Sequence, residues 1–286
     1  MRIHPAAIIV LTLLAAPADA QLTGKQATAQ LRAASKQTLK DARSSFKDAK
    51  DAALDQIEAY EEALAANGFV QDDAIELFGN LDAFLGALQG SLRGACSDFT
   101  ESALDLLLQV DDFSVVQGEY PEDFQLGTGG VLDDLHAALA KEAEKASVAV
   151  FKRLDKTAGL LEKQQGVLMT VVRRPLAAGL LDFAVNHGGA SSYADAPQLT
   201  IDLALTFSSS SVLGDGLAFL AGTGSESLTS VAVSLPDLTN IVVPDPATDR
   251  WNTVFGDVTP LTEANLIADA VGADGGSRDT LVIAVR

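Results

Sequence analysis

LEKQQG, residues 161–166, is the point at which the sequence changes character. Lys163 is the last lysine of the chain. Apolar residues before Gly166 recur every three or four positions, as in helices, whereas apolar residues after it alternate, as in strands. The sequence therefore predicts a helical region over residues 21–165 and a strand-rich domain over residues 166–286. A chain of 286 residues, 48% of them apolar, is large enough for both parts.

The predicted helical region begins and ends with a long helix. One apolar series steps near the coiled-coil period: Leu39, Ala42, Phe46, Ala49, Ala53, Ile57, Tyr60 and Leu64. We expect this first helix from about Lys25 to Asn67, because Asn67-Gly68 is a typical helix end. A matching series predicts a last helix over residues 131–165: Leu132, Leu135, Leu139, Ala143, Ala146, Val150, Leu154 and Leu161. We expect these two helices to pack side by side as a long antiparallel, coiled-coil-like pair.

Shorter helices are expected between these two. One is predicted over Asp72–Leu88, with Gly86 and Gly90 weakening its end, and another from Asp98 to Leu108. Residues 111–130 contain Pro121 and a cluster of glycines, and we expect them to form a connection.

The C-terminal part is expected to contain about seven to nine short strands. The alternating stretches are residues 181–185, 199–207, 231–235 and 281–285. Glycine- and proline-rich pieces between them, among them Gly222-Thr223-Gly224, are typical of turns. The pattern favours an antiparallel β-sandwich over a barrel, and the predicted fold class is α+β.

The first twenty residues are typical of a secretory signal peptide. Arg2 supplies the positive charge, Ala6–Ala16 the apolar stretch, and Ala18-Asp19-Ala20 the small residues of a cleavage site. A retained anchor is disfavoured, because a membrane-spanning helix needs about 20 apolar residues. We therefore expect cleavage after Ala20, a secreted or periplasmic location, and no membrane span in the mature chain.

Acidic residues dominate the composition. Asp and Glu number 39 against 20 Lys and Arg, and the resulting net charge of −19 disfavours nucleic acid as a partner. Residues 25–50 carry seven basic and two acidic residues, whereas residues 51–134 carry one arginine and 19 acids. We expect the basic stretch to pair with the acidic helices of the same chain or of a second copy. Self-association through the helical region is the predicted partner interaction.

The sequence predicts no catalytic, cofactor-binding or metal-binding residue. His187 follows a predicted strand, and we interpret it as a loop histidine. His136 follows Asp133 by three residues, and we expect both in the solvated first turn of a helix. Cys96 is expected to be a buried apolar residue rather than a reactive thiol, with a disulfide-linked dimer as the alternative.

Three further stretches are weaker candidates. The acidic turns 245–249 and 274–279 could supply oxygen ligands to calcium, although exposed solubilising turns explain them better. Ser208–Ser211 lies in no nucleophile motif and is expected to be a hairpin loop. Trp251, near Phe255, is expected in the core, with a sugar-stacking platform as the alternative.

These observations lead us to expect an exported, non-enzymatic protein. Its helical region would act in assembly or as a spacer, and its β-sandwich would bind an unidentified ligand or serve a structural role. The alternative is a secreted hydrolase that acts on an extracellular polymer through two carboxylates about 5–9 Å apart. A peripheral membrane protein is a third class, which the alanine-rich apolar stripe of the first helix disfavours.

Overall fold

Four helices precede eight strands in the computed structural model, which describes residues 22–174, 199–209, 216–224, 228–246, 250–258, 261–272 and 275–285. The helices are α1 Gly24–Asn67, α2 Gln71–Leu108, α3 Phe113–Glu119 and α4 Val131–Gln165. The strands are β1 Val167–Arg173, β2 Leu199–Ser209, β3 Leu217–Gly224, β4 Leu228–Leu235, β5 Leu238–Val242, β6 Arg250–Phe255, β7 Leu261–Gly272 and β8 Gly275–Val285. The predicted α+β class is confirmed, and helix gives way to strand at Gly166.

α1 is capped close to its predicted ends. The Thr23 hydroxyl accepts a hydrogen bond from the backbone N–H of Gln26 at 3.4 Å, and the Gln26 side chain accepts one from the N–H of Thr23 at 3.0 Å. This reciprocal capping box starts the helix. Gly68, with a φ of 75°, ends it and donates its N–H to the carbonyl of Leu64. The 44 residues of α1 extend about 66 Å.

α2 is one helix of 38 residues, so the prediction of two shorter helices was wrong. Its buried side chains continue past Gly90 through Leu92, Cys96 and Phe99. Burial of this continuous apolar face outweighs the cost of about 1 kcal/mol for each interior glycine. Asp98 therefore lies within the helix, where its carbonyl accepts a hydrogen bond from the hydroxyl of Ser102.

The predicted connection over residues 111–130 contains a helix that the sequence did not indicate. α3 has seven residues and is capped by Asp112, whose carboxylate accepts a hydrogen bond from the N–H of Ser114 at 3.0 Å. Val116 is its only buried residue. A single buried side chain produces no repeating apolar spacing in the sequence, so the pattern could not reveal this helix.

α1 and α4 run parallel, which corrects the predicted antiparallel pair. Arg43 on α1 pairs with Glu142 on α4, and further along Glu61 on α1 pairs with Arg153 on α4. Residue numbers thus increase in the same direction along both helices.

The unbroken α2 explains this direction. Leu22, before α1, bridges to Val110, after α2, and Gln56 of α1 accepts a hydrogen bond from Asn80 of α2. α2 is therefore antiparallel to α1 and returns the chain along its full length. α4 then starts at the same end as α1.

The strands form two antiparallel four-stranded sheets. Sheet 1 has the order β1-β2-β3-β6 and sheet 2 the order β5-β4-β7-β8. The predicted strands 199–207, 231–235 and 281–285 lie within β2, β4 and β8, whereas 181–185 lies outside the described residues. Gly222 was predicted in a turn, but it lies inside β3, where its small size suits a strand covered on both faces.

Sheet 1 lies between the helices and sheet 2. Successive strand residues face opposite sides of a sheet. On one side, Phe207 and Phe219 contact Phe78 of α2, with ring centroids 5.0 and 5.1 Å apart. On the other side, Leu220 of β3 belongs to an apolar cluster that includes Val233 of β4. Sheet 1 is therefore buried on both faces.

Candidate functional site

Arg250 lies buried between α2 and sheet 1, with 5% of its surface exposed. Its guanidinium donates to Oδ1 of Asp82 from Nε at 2.8 Å and from Nη2 at 2.6 Å. Nη1 donates to Oε1 of Gln89 at 2.6 Å and to Oδ2 of Asp202 at 3.3 Å. One cation on β6 therefore joins acceptors from α2 and β2.

The acceptors around this arginine are also bonded to other groups. Oδ2 of Asp82 accepts a hydrogen bond from Asn252 at 2.8 Å. The hydroxyl of Thr223 donates to Oδ2 of Asp202 at 2.6 Å and accepts from the amide of Gln89 at 2.9 Å. We call these six side chains the Arg250 network: Asp82, Gln89, Asp202, Thr223, Arg250 and Asn252.

The Arg250 network holds the helical layer on sheet 1. A Cβ atom at Gly86 of α2 would lie 3.0 Å from Cδ of Arg250, so the close approach of α2 to β6 favours glycine there. Removal of one partner from a buried ion pair typically destabilises a protein by about 3–5 kcal/mol. Because its charges are shielded from solvent and bonded to one another, the network suits a structural role rather than substrate binding.

An open groove of about 700 Å³ separates the middle of α1 from α2. Small side chains dominate both of its walls: Ala34, Ala42 and Ser45 on α1, and Gly90, Gly94 and Ala95 on α2. Two carboxylates, Asp41 and Asp98, also line it, and no basic residue does. Small-molecule sites are usually lined by large apolar and aromatic side chains, of which this groove has only Phe99.

Gly90 and Gly94 lie four residues apart in this groove. A Cβ atom at either position would meet no atom within 4 Å. Since an interior glycine costs about 1 kcal/mol relative to alanine, these two glycines weaken α2 without making room for a described part of the chain. Small residues at this spacing let the backbone of a second helix approach closely.

His136 is buried, which corrects the predicted solvated turn. It is 1% exposed, and neither ring nitrogen has a hydrogen-bond partner among the described residues. Burial lowers its pKa, with Asp133 acting in the opposite direction.

Asp133 caps the preceding loop instead of orienting the imidazole of His136. Its two oxygens accept hydrogen bonds from the N–H groups of Gly127 at 2.9 Å and Gly129 at 2.6 Å. Burial acts to raise the pKa of Asp133, but these backbone donors outweigh it and the pKa is lowered.

Cys96 and Trp251 are both core residues. Cys96 is 4% exposed, as expected, and burial raises its pKa to about 12. Trp251 is 1% exposed and belongs to the cluster between the two sheets, together with Phe255. The sugar-stacking alternative for Trp251 is therefore wrong.

Part of each acidic stretch can be located. Asp279 was assigned to a turn, but it lies in β8, where its carboxylate pairs with Arg174 and accepts the N–H of Ile201 at 2.7 Å. Asp245 makes a backbone bridge to Arg250. The remaining acids of these stretches, Asp249 and Asp274, lie outside the described residues, as does His187. The predicted serine loop begins inside a strand, because Ser208 and Ser209 belong to β2.

The basic stretch 25–50 is only partly paired within the chain. Arg32 pairs with Asp123 and Lys47 with Asp51. Apart from Asp82, no acidic side chain of α2 forms an ion pair with a described residue. The intrachain pairing expected from the sequence therefore leaves most of the negative charge on α2 unpaired.

Sequence reasoning missed both the Arg250 network and the groove. The residues around Arg250 in the sequence do not indicate whether its side chain is buried or exposed. The groove left a signal at Gly90, which we interpreted, together with Gly86, as a weak helix end.

The chain matches no protein-family model and no curated protein. Within the described ranges, no three His, Cys, Asp or Glu side chains come close enough to hold a metal ion. None of the helices described is long and apolar enough to cross a membrane.

Proposed function

We propose that this chain is an exported, non-enzymatic protein whose helical region acts in assembly or spacing and whose two sheets form a β-sandwich that binds or packs against a partner. The groove between α1 and α2 is the observation that carries this proposal. It combines small side chains, two carboxylates that form no ion pair with a described residue and a length of several helical turns, and this combination suits another helix better than a small molecule.

The coiled-coil character of the helical region is supported by the buried positions of α1. Its buried apolar side chains in the second half follow steps of three and four residues: Ala53, Ile57, Tyr60 and Leu64. With the partly buried Leu39 and Ala49, the series from Leu39 to Leu64 takes seven steps over 25 residues, an average between the 3.5 residues of a coiled coil and the 3.6 residues of a straight helix. Helices of this kind serve well as rigid spacers and as assembly elements.

The sandwich is supported by one apolar cluster shared between the sheets. Leu220 and Trp251 come from sheet 1, whereas Val231, Val233 and Leu266 come from sheet 2. Burial between two sheets is the arrangement that stabilises a β-sandwich.

A non-enzymatic role is supported by how the buried charges are used. Arg250 and Asp82 are bonded to protein groups and are out of reach of a substrate. The hydrolase alternative also lacks its proposed aromatic platform, because Trp251 is buried. Export rests on the signal-peptide pattern of residues 1–20.

Light scattering after size exclusion tests the assembly role. Purified residues 21–286 should be measured over a range of concentrations with reductant present, which excludes a disulfide through Cys96. We expect a stable oligomer. A monomer at every concentration would contradict assembly and leave only a spacer role for the helices.

A further inference from the structure

We propose that the outer face of α2, which borders the groove at Gly90 and Gly94, receives α1 of a second copy of this chain. This inference rests on the proposed assembly function and names its contact surface. It follows from three features: the outer face of α2, the outer face of α1, and the register at which the two match.

The outer face of α2 carries small side chains in the middle of the helix and acidic side chains at its C-terminal end. At 100° per residue, one face of the helix carries six small residues, exposed or half-buried: Gly79, Ala83, Ala87, Gly90, Gly94 and Ser97. Glu101 and Asp105 continue this face, and both are exposed without an ion-pair partner among the described residues. A helix that lies along this surface must come close to the backbone and carry positive charge.

The outer face of α1 has these two properties in the same order. Ala29, Ala33, Lys36 and Lys40 are all exposed and lie on one face, at steps of four, three and four residues. Neither lysine forms an ion pair with a described residue. On α1, small residues are thus followed by lysines without an ion pair. On α2, small residues are followed by carboxylates without an ion pair.

The match favours a parallel register between α1 of one copy and α2 of the other. In this register Ala29 and Ala33 lie opposite Gly94 and Ser97, and the two lysines lie opposite Glu101 and Asp105. Contact between the α2 helices of two copies is disfavoured, because it would bring acidic surfaces together.

This register leads to a heterologous contact. Because α1 and α2 are antiparallel within one copy, two copies in this register are antiparallel to each other. A two-fold axis perpendicular to the helices would place α1 beside α1 and α2 beside α2, so each copy instead places its α1 on one neighbour and receives the α1 of another. Leu104 and Leu108, which are 55% and 85% exposed, lie at the acidic end of this surface and would be covered by the same contact.

Charge exchange tests the contact. We expect Lys36→Glu with Lys40→Glu, and separately Glu101→Lys with Asp105→Lys, to weaken self-association by at least about 100-fold, because each places like charges opposite each other. An equimolar mixture of the two double variants should associate again, because each then offers the charge that the other lacks. Sedimentation and light scattering at about 0.1 M salt provide the readout.

A matched control changes the charge by the same amount elsewhere. Asp155→Lys with Glu162→Lys alters exposed acids on α4 and should leave the self-association intact. A wild-type monomer would overturn both the assembly function and this contact. A wild-type oligomer that withstands both double variants, or that the mixture does not restore, would overturn the contact alone.

Discussion

Arg250 on β6 donates two hydrogen bonds, of 2.8 and 2.6 Å, to one carboxylate oxygen of Asp82 on α2. The two residues are 168 positions apart, so this pair ties the N-terminal helices to a late strand. Gln89 and Asp202 complete the acceptors of the guanidinium. Correct packing of α2 on sheet 1 therefore depends on a polar contact as well as on the apolar core.

Arg250→Met should destabilise the protein strongly. It leaves Asp82 buried without its cation, and such a loss costs about 3–5 kcal/mol in the free energy of unfolding. Urea unfolding of the mature chain measures this change. Arg278→Met is the matched control, because the pair of Arg278 with Asp269 is exposed to solvent and contributes little to stability. Equal losses in both variants would show that the Arg250 network does not hold α2 in place.

Two glycines of α2 should respond differently to substitution by alanine. Gly94→Ala should raise the free energy of unfolding by up to about 1 kcal/mol, because its Cβ meets open space. Gly86→Ala should give no gain or a loss, because its Cβ would lie 3.0 Å from Cδ of Arg250, which hydrogen bonds hold in place. Urea unfolding at dilute protein concentration separates this effect from association. A gain at Gly86 equal to that at Gly94 would contradict the tight approach.

Buried His136 should make stability fall at mildly acidic pH. Burial lowers its pKa, so the folded state binds fewer protons than the unfolded state. Its contribution is complete above the unfolded pKa of about 6.5 and decreases as the pH falls below that value. We expect the urea midpoint to drop between about pH 7.5 and about pH 5.5, and to drop less in His136→Leu. His187 is present in both proteins, so an unchanged pH dependence would refute the role of His136.

Cys96 should be unreactive in the folded protein. Burial raises its pKa to about 12, so almost no thiolate is present at about pH 8. We expect a thiol reagent to label the folded chain at least about 100-fold more slowly than the urea-unfolded chain. Comparable rates would mean that α2 opens readily around Cys96.

The sequence predicted those helices and strands whose apolar residues recur at one regular spacing. α1 and α4 have long apolar series, and β2 alternates clearly, so all three were found. The continuity of α2 was missed because glycine propensity suggested an end at Gly90, whereas tertiary burial of Leu92, Cys96 and Phe99 sustains the helix.

The candidate site could not be predicted in the same way. The direction of α4 relative to α1 depends on α2 being one long helix. Because α2 was predicted as two shorter helices, its effect on the direction of α4 could not be foreseen. The members of the Arg250 network come from α2, β2, β3 and β6, and no local pattern brings distant polar residues together. The groove depends on empty space between two helices, which a sequence does not display.

Cross-linking between two differently labelled chains tests the proposed contact most directly. One chain carries Ala33→Cys, the other carries Ser97→Cys, and Cys96→Ala removes the native thiol from both. A short bis-maleimide should join the two chains when they are mixed, whereas Asp155→Cys in place of Ala33→Cys should give no such product. Absence of a cross-link between positions 33 and 97, in chains that still associate, would contradict the proposed contact.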